Sequence, residues 1–445
     1  MKTKIILWSA VSILIIGLAA GAYWRLSRPQ VITFSDDSKV TLLAVEYGKH
    51  HAPPTVKVST TSTNKTAARR GNGPFTTTDD TLVVWVQEEY DSQQYHYFQF
   101  YAYDKTGTAC AASSTTHYVT AARRTGNDLV GIEFGAFPRR QGKFLVGVQE
   151  QSNNGQEMAD RKFSISNPAR GSFPQWTPEP LPATKEDGNL SVTLTKLVFG
   201  ADTPYNRNQD NADDPVNKGV QAVLQAQWDG KPAANWQPVS VETTDATGNS
   251  VSGFCNTQWN GDECTTTYQW GLWADEPAWK VKFEFSQQSD FAGNELWTVQ
   301  NIPVQPGRQR DFTTVARNSR TNTAAATPAF AEADLNGIHL KIFPAKQFTD
   351  VGQNNYLQGG LMIQANPALP DGMRMTLVSL TDGQTNDVTY STYGTMRSGT
   401  GAAAATTYRY GLREMDGVTN LNLTIALHKS RFLEFTAKPE KDAAQ

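Results

Sequence analysis

Apolar and polar residues alternate in short runs along most of this 445-residue chain. Val281, Phe283 and Phe285 keep a period of two, as do Leu421, Leu423 and Ile425, and Phe144, Val146 and Val148. That period puts successive side chains on opposite faces of a strand. Glycine and aspartate signals separate the runs, and no amphipathic helical stretch of useful length follows residue 30. The pattern predicts antiparallel β-structure.

The runs recur as three copies of one unit. Val40-Thr41-Leu42-Leu43-Ala44-Val45-Glu46-Tyr47-Gly48 matches Val192-Thr193-Leu194-Thr195-Lys196-Leu197-Val198-Phe199-Gly200, and Ile338 to Phe343 is a shorter third version. Apolar strands follow at Leu82–Val86, Val220–Ala226 and Leu361–Ile363. Turns come next at Asp104-Lys105-Thr106-Gly107, Asp245-Ala246-Thr247-Gly248 and Thr381-Asp382-Gly383. Aspartate bonds its own backbone ahead and glycine accepts positive φ, so these are turns rather than calcium loops. Thr266-Thr267-Tyr268-Gln269-Trp270-Gly271-Leu272 matches Thr406-Thr407-Tyr408-Arg409-Tyr410-Gly411-Leu412, with Phe134-Gly135 as a reduced first copy. Each copy is expected to close on its own last strand, at Phe163–Pro168, Trp297–Pro303 and Leu433–Pro439.

Roughly seven short strands in about 110–140 residues is the arithmetic of a β-sandwich. On these turns and core aromatics, residues 31–440 resemble the tandem immunoglobulin-like β-sandwich domains of bacterial envelope proteins. The Cys–Trp–Cys hallmark of antibody-type domains is absent. The resemblance implies an all-β chain of three tandem antiparallel sandwiches, at 31–168, 187–304 and 330–440, and no function. A proline-rich connector, Ala169 to Glu186, joins the first two, and a polar stretch, Gln305 to Thr327, joins the last two.

Residues 1–30 differ from the rest. Ile5 to Trp24 holds 20 residues without a charge, enough for a helix to cover the roughly 30 Å hydrocarbon core. Lys2 and Lys4 precede it, and Trp8, Tyr23 and Trp24 sit towards its ends, as interfacial aromatics do. Ala20-Gly21-Ala22 also fits a signal-peptidase site, but the stretch exceeds the usual h-region of about 7–15 residues. The length favours an uncleaved anchor. Either reading exports residues 30–445, to the periplasm or the cell surface.

Composition narrows the function classes. With 43 acids against 40 bases and a net charge of -3, the chain lacks the basic field of a nucleic-acid binder. Catalytic signatures such as G-x-S-x-G, H-E-x-x-H and the P-loop are absent. The six histidines are scattered, with His50-His51 expected to be solvated. The carboxylate pairs Glu88-Glu89 and Asp275-Glu276 read as polar turns. No catalytic, cofactor or metal residue is assigned. Asn206, Asn208 and Asp210 alternate as in a calcium loop, but the glycine at position six is missing and Asn217 stands at position twelve. They lie in one of two long insertions, Lys49–Asp80 and Ala201–Asn217. Arg69-Arg70, Arg123-Arg124 and Arg139-Arg140 suggest an anionic polymer, but the balanced charge of residues 31–168 argues against it.

Eight of the 11 tryptophans fall between residues 176 and 297. Trp228, Trp270 and Trp297 read as core. Trp236, Trp259, Trp273 and Trp279 sit in or beside predicted turns, where exposed rings would stack on sugars. The leading expectation is a membrane-tethered, non-enzymatic scaffold or interaction protein whose partner is an envelope protein or a polysaccharide. The alternative is carbohydrate binding through those four rings, and a hydrolase without a recognisable motif is third. Burial of the tryptophans favours the scaffold. Cys255 and Cys264 flank Asn260-Gly261 and are expected to form a disulfide worth about 2–3 kcal/mol, leaving Cys110 without a partner.

Overall fold

A computed structural model describes residues 30–54, 74–91, 96–118, 127–152, 155–169, 171–202, 218–269, 271–309, 328–349, 357–398 and 404–441. The anchor segment, the arginine pairs at 69–70 and 123–124, Trp270 and the Asn206–Asp214 acidic loop lie outside them. Among the described residues the chain is nearly all β, and no helix there is long and apolar enough to cross a membrane.

The strands build several antiparallel sheets. In the first unit, Val31–Thr33, Lys39–His51, Phe75–Glu89, Asn127–Phe134 and Ser114–Tyr118 form one sheet in that order. Phe163–Ser166, Lys143–Ser152, His96–Tyr103 and Ala109–Ala111 form the other. Phe144, Val146 and Val148 point inward at 2% exposure or less, as their alternation predicts. The Lys49–Asp80 insertion is shorter than expected. Both flanking strands run on into it, pairing His50 with Thr76 and His51 with Phe75. His51 is therefore buried, its ring 5.1 Å from that of Phe75, and only His50 is exposed.

The three aspartate turns repeat in atomic detail. Asp104 Oδ1 accepts from the amides of Thr106 and Thr108. Asp245 Oδ1 accepts from Thr247 and Asn249, and Asp382 Oδ1 from Gln384 and Asn386. Gly107 and Gly248 take the positive φ that follows, 87° and 88°. In the third turn the equivalent place belongs to Thr385, at 69°, and not to Gly383.

The last two units depart from the expected boundaries. Leu296–Gly307, expected to close the second unit, pairs with Asn420–Lys429 of the third, from Leu296↔Ala426 to Pro303↔Asn420. Its second half then runs parallel to Ala345–Phe348. A register shift between Val299 and Ile302, with Asn301 at φ 58°, lets one strand pair with Asn420–Lys429 along its first part and with Ala345–Phe348 along its second. The strand expected to close the third unit returns to the second: Arg431–Ala437 pairs with Trp279–Gln287, from Trp279↔Ala437 to Phe285↔Arg431. Glu440–Lys441 then adds a parallel bridge to Val198 and Phe199. The boundaries 187–304 and 330–440 are thereby corrected. The second unit is Ala183–Gln287 with Arg431–Lys441, and the third is Leu296–Ser430.

Two cores result. Val281, Phe283 and Phe285 meet Leu433 and Phe435 of the returning strand, all at 2% exposure or less. Full burial of such side chains contributes about 1.5–3 kcal/mol each. This cluster continues without a break into the first unit, as far as Ile32 and Phe34. The third unit has its own, around Leu340, Leu361, Leu412, Leu423 and Ile425.

Candidate functional site

The tryptophans proposed as sugar platforms are placed by the core. Trp236, Trp273 and Trp279 are 4%, 4% and 0% exposed. Trp236 stacks on Trp228 with centroids 5.1 Å apart. Trp279 donates from Nε1 to the Trp273 carbonyl at 3.1 Å, and Trp273 donates to the Thr108 carbonyl of the first unit at 3.3 Å. Trp259 is half-buried against the core. Large apolar rings at sandwich ends gain more by sealing a core than by facing water, so these four offer no common exposed face.

Cys255 and Cys264 do not pair; all three cysteines are free thiols. The Asn260-Gly261 turn puts Trp259, not Cys255, opposite Cys264. Cys255 lies further back, where the chain leaves Ser250–Phe254 for Asn256–Asn260, beside Thr266. Burial pushes the thiols of Cys110, Cys255 and Cys264 up to about 12.

The polar groups singled out in the sequence are spent holding units together. Phe137 donates its amide to Asn249 Oδ1 at 3.1 Å, and Asn249 Nδ2 returns a bond to the Phe137 carbonyl at 3.0 Å. The second aspartate turn thus docks on the first unit. Arg139 donates to the Thr247 carbonyl at 3.0 Å, with its guanidinium 5.0 Å from the Phe137 ring centroid. Arg140 Nε reaches both Glu276 oxygens at 3.0 and 2.9 Å, while its other nitrogens bond the Phe173 and Pro174 carbonyls. Neither arginine is free for a polymer. Glu276 is 8% exposed, and burial pushes its carboxyl up although Arg140 donates to it. Glu88 is 3% exposed within Phe75–Glu89, not in a turn.

The second and third units lock in the same way. Arg374 donates to Glu284 with both Nε and Nη2, and Ser240 Oγ adds a bond at 2.7 Å. Burial alone would raise the Glu284 carboxyl; the bonds from Arg374 and Ser240, with the Arg374 charge, outweigh it and hold it at about 2. Asp187 grips the returning strand through the Phe432 amide at 3.2 Å and Arg431 at 3.4 Å.

An open cleft of 780 Å³ marks where the first unit, the second and the returning strand meet, lined by Lys105, Asp275, Lys438 and Glu440 among others. Its charges are mixed, and Lys441 lies 3.5 Å from Asp275 across it. Among the described residues, Asp36, His96 and Glu150 group as metal donors do. They are 60 and 54 positions apart in sequence, so no spacing motif announces them.

No family model and no curated protein matches the chain. Among solved structures it is similar to an endo-fucoidan hydrolase from glycoside hydrolase family 107, at 12% identity and a TM-score of 0.10, over 79% of this chain and 42% of that one. The chain thus spans less than half that protein's length. A similarity this slight carries no argument about fold or chemistry.

Proposed function

We propose that the chain is a non-enzymatic scaffold of the cell envelope. Ile5–Trp24 is the membrane anchor, and residues 30–445 form an exported array of three immunoglobulin-like sandwiches. The observation that carries this reading is the mutual exchange of Leu296–Gly307 and Arg431–Ala437 between the second and third units. Flexible tandem modules need no such device, whereas a spacer that must hold surfaces at a fixed separation gains by it. The continuous core between the first and second units and the Arg140–Glu276 clamp support the same reading. The rings and charges that would otherwise mark a ligand site are engaged in this construction. The partner is an envelope protein or polysaccharide, gripped by outer faces rather than by the tryptophans of the second unit.

Protease added to intact spheroplasts tests the topology. The reading expects digestion of the large domain, with a short membrane-held N-terminal peptide left behind. Protection of the large domain would count against it. A glycan array with detergent-solubilised chain tests the ligand class. Trp236→Ala, Trp259→Ala, Trp273→Ala or Trp279→Ala should not remove binding selectively, beyond what each does to folding.

A further inference from the structure

We propose that Asp36, His96 and Glu150 form a divalent-cation site at one end of the first unit, taking an ion of the Zn2+ or Mn2+ class. Three separate elements deliver the donors. Asp36 lies on the turn between Val31–Thr33 and Lys39–His51, His96 begins His96–Tyr103, and Glu150 lies on Lys143–Ser152. The metal-binding atoms lie within 4.8 Å of one another. His96 Nδ1 is 2.6 Å from Glu150 Oε1 and 3.6 Å from Asp36 Oδ2.

Each donor is held in position. Asp36 Oδ1 accepts from the Ser38 amide at 3.0 Å, which leaves Oδ2 aimed at the imidazole. Ser38 Oγ donates to Glu150 Oε1 at 3.0 Å. The His96 and Glu150 side chains are 1% and 3% exposed, and that of Asp36 is 18%. Donors about 2.1 Å from a tetrahedral ion stand roughly 3.4 Å apart. The Asp36–His96 separation already meets this, and the His96–Glu150 pair must open by less than about 1 Å. The ion would replace the proton now shared between Nδ1 and Oε1, which is released to solvent. The Asp36 side, the more exposed one, leaves a coordination position for water.

Charge supports the geometry. Two carboxylates face one imidazole, so a protonated His96 balances only one of them. Glu157 brings a third carboxylate, accepting from the amide and hydroxyl of Ser35 beside Asp36. Negative charge in excess beside the buried Glu150 is costly, and a divalent cation removes the excess. One imidazole with two carboxylates suits a borderline cation better than Ca2+, which prefers oxygen alone.

The test is titration of Zn2+ into metal-stripped full-length chain carrying His339→Asn, so that the exposed His339, Asp334 and Glu332 group does not contribute. Calorimetry should find one equivalent bound at micromolar concentration or tighter. Co2+ in its place should give an imidazole–carboxylate spectrum without a thiolate charge-transfer band. Asp36→Asn, on a turn where the fold tolerates it, should weaken binding on the order of tenfold or more, and Glu150→Gln likewise. A metal-dependent rise in melting temperature should vanish in both variants. Absence of binding, affinity in Asp36→Asn and Glu150→Gln unchanged from that of the parent chain, or a thiolate band would overturn the site.

Discussion

Arg374 closes a fork on Glu284: Nε donates to Oε1 at 2.6 Å, and Nη2 donates to Oε2. Glu284 belongs to the second unit and Arg374 to the third. The pair therefore ties together two units that also trade strands. Its carboxylate side is 11% exposed, so the bond is shielded from the screening that makes surface pairs weak.

Glu284→Ala should lower the free energy of unfolding by about 2–3 kcal/mol, because Arg374 is left half-buried without its anion. The pH dependence has a definite sign. The folded carboxyl sits at about 2, below the ordinary value of roughly 4.3. The stabilisation is thus complete above the unfolded value and is lost as pH falls through the folded one. Chemical denaturation between about pH 5 and pH 2 should show the wild type losing stability faster than Glu284→Gln.

Thr385→Gly should stabilise the third unit. Thr385 is exposed and holds φ at 69°, where a β-branched residue is strained and the other two turns use glycine. A gain of about 1 kcal/mol is expected, less the added freedom of glycine in the unfolded chain. Thermal melts of the two proteins measure it, and a lower melting temperature for Thr385→Gly would refute the strain.

Thiol counting separates the cysteine arrangement seen here from a bonded pair. Denatured, unreduced protein should give three free thiols. The native protein should label slowly at pH 8, because burial holds all three near 12 and so un-ionised. One thiol in the denatured protein would restore the Cys255–Cys264 bond.

The strands and turns were legible because they are local. The alternation of Val281, Phe283 and Phe285 sets which face is buried, and Asp104, Asp245 and Asp382 bond amides two and four residues ahead. Strand partnership is not local. Leu433, Phe435 and Ala437 alternate identically whether they join the third sheet or return to the second, so exchange left no mark on the pattern. Trp273 and Trp279 flank a turn, and turn propensity says nothing about a neighbouring unit folding over it. His96 and Glu150 meet because two strands pair, His96↔Ser152 through Tyr103↔Leu145. Asp36 joins them from a turn far upstream. No sequence spacing could reveal that group.

Excision tests the revised boundaries. A fragment from Pro328 to Gln445 lacks Leu296–Gly307, which joins Ala345–Phe348 to Asn420–Lys429 in the third unit. It should give no cooperative melt, whereas the fragment spanning residues 293–430 should be the better folded of the two by circular dichroism.

Hydrogen exchange on a chain truncated after Ser430 tests the strand exchange most directly. Removing Arg431–Ala437 takes a strand from the second unit and none from the third. The account predicts that amide protection collapses in Trp279–Gln287 and Trp236–Asp245, while Asn420–Lys429 and Met373–Asp382 stay protected. Loss of protection confined to Asn420–Lys429 and its neighbours, with Trp279–Gln287 unchanged, would contradict it.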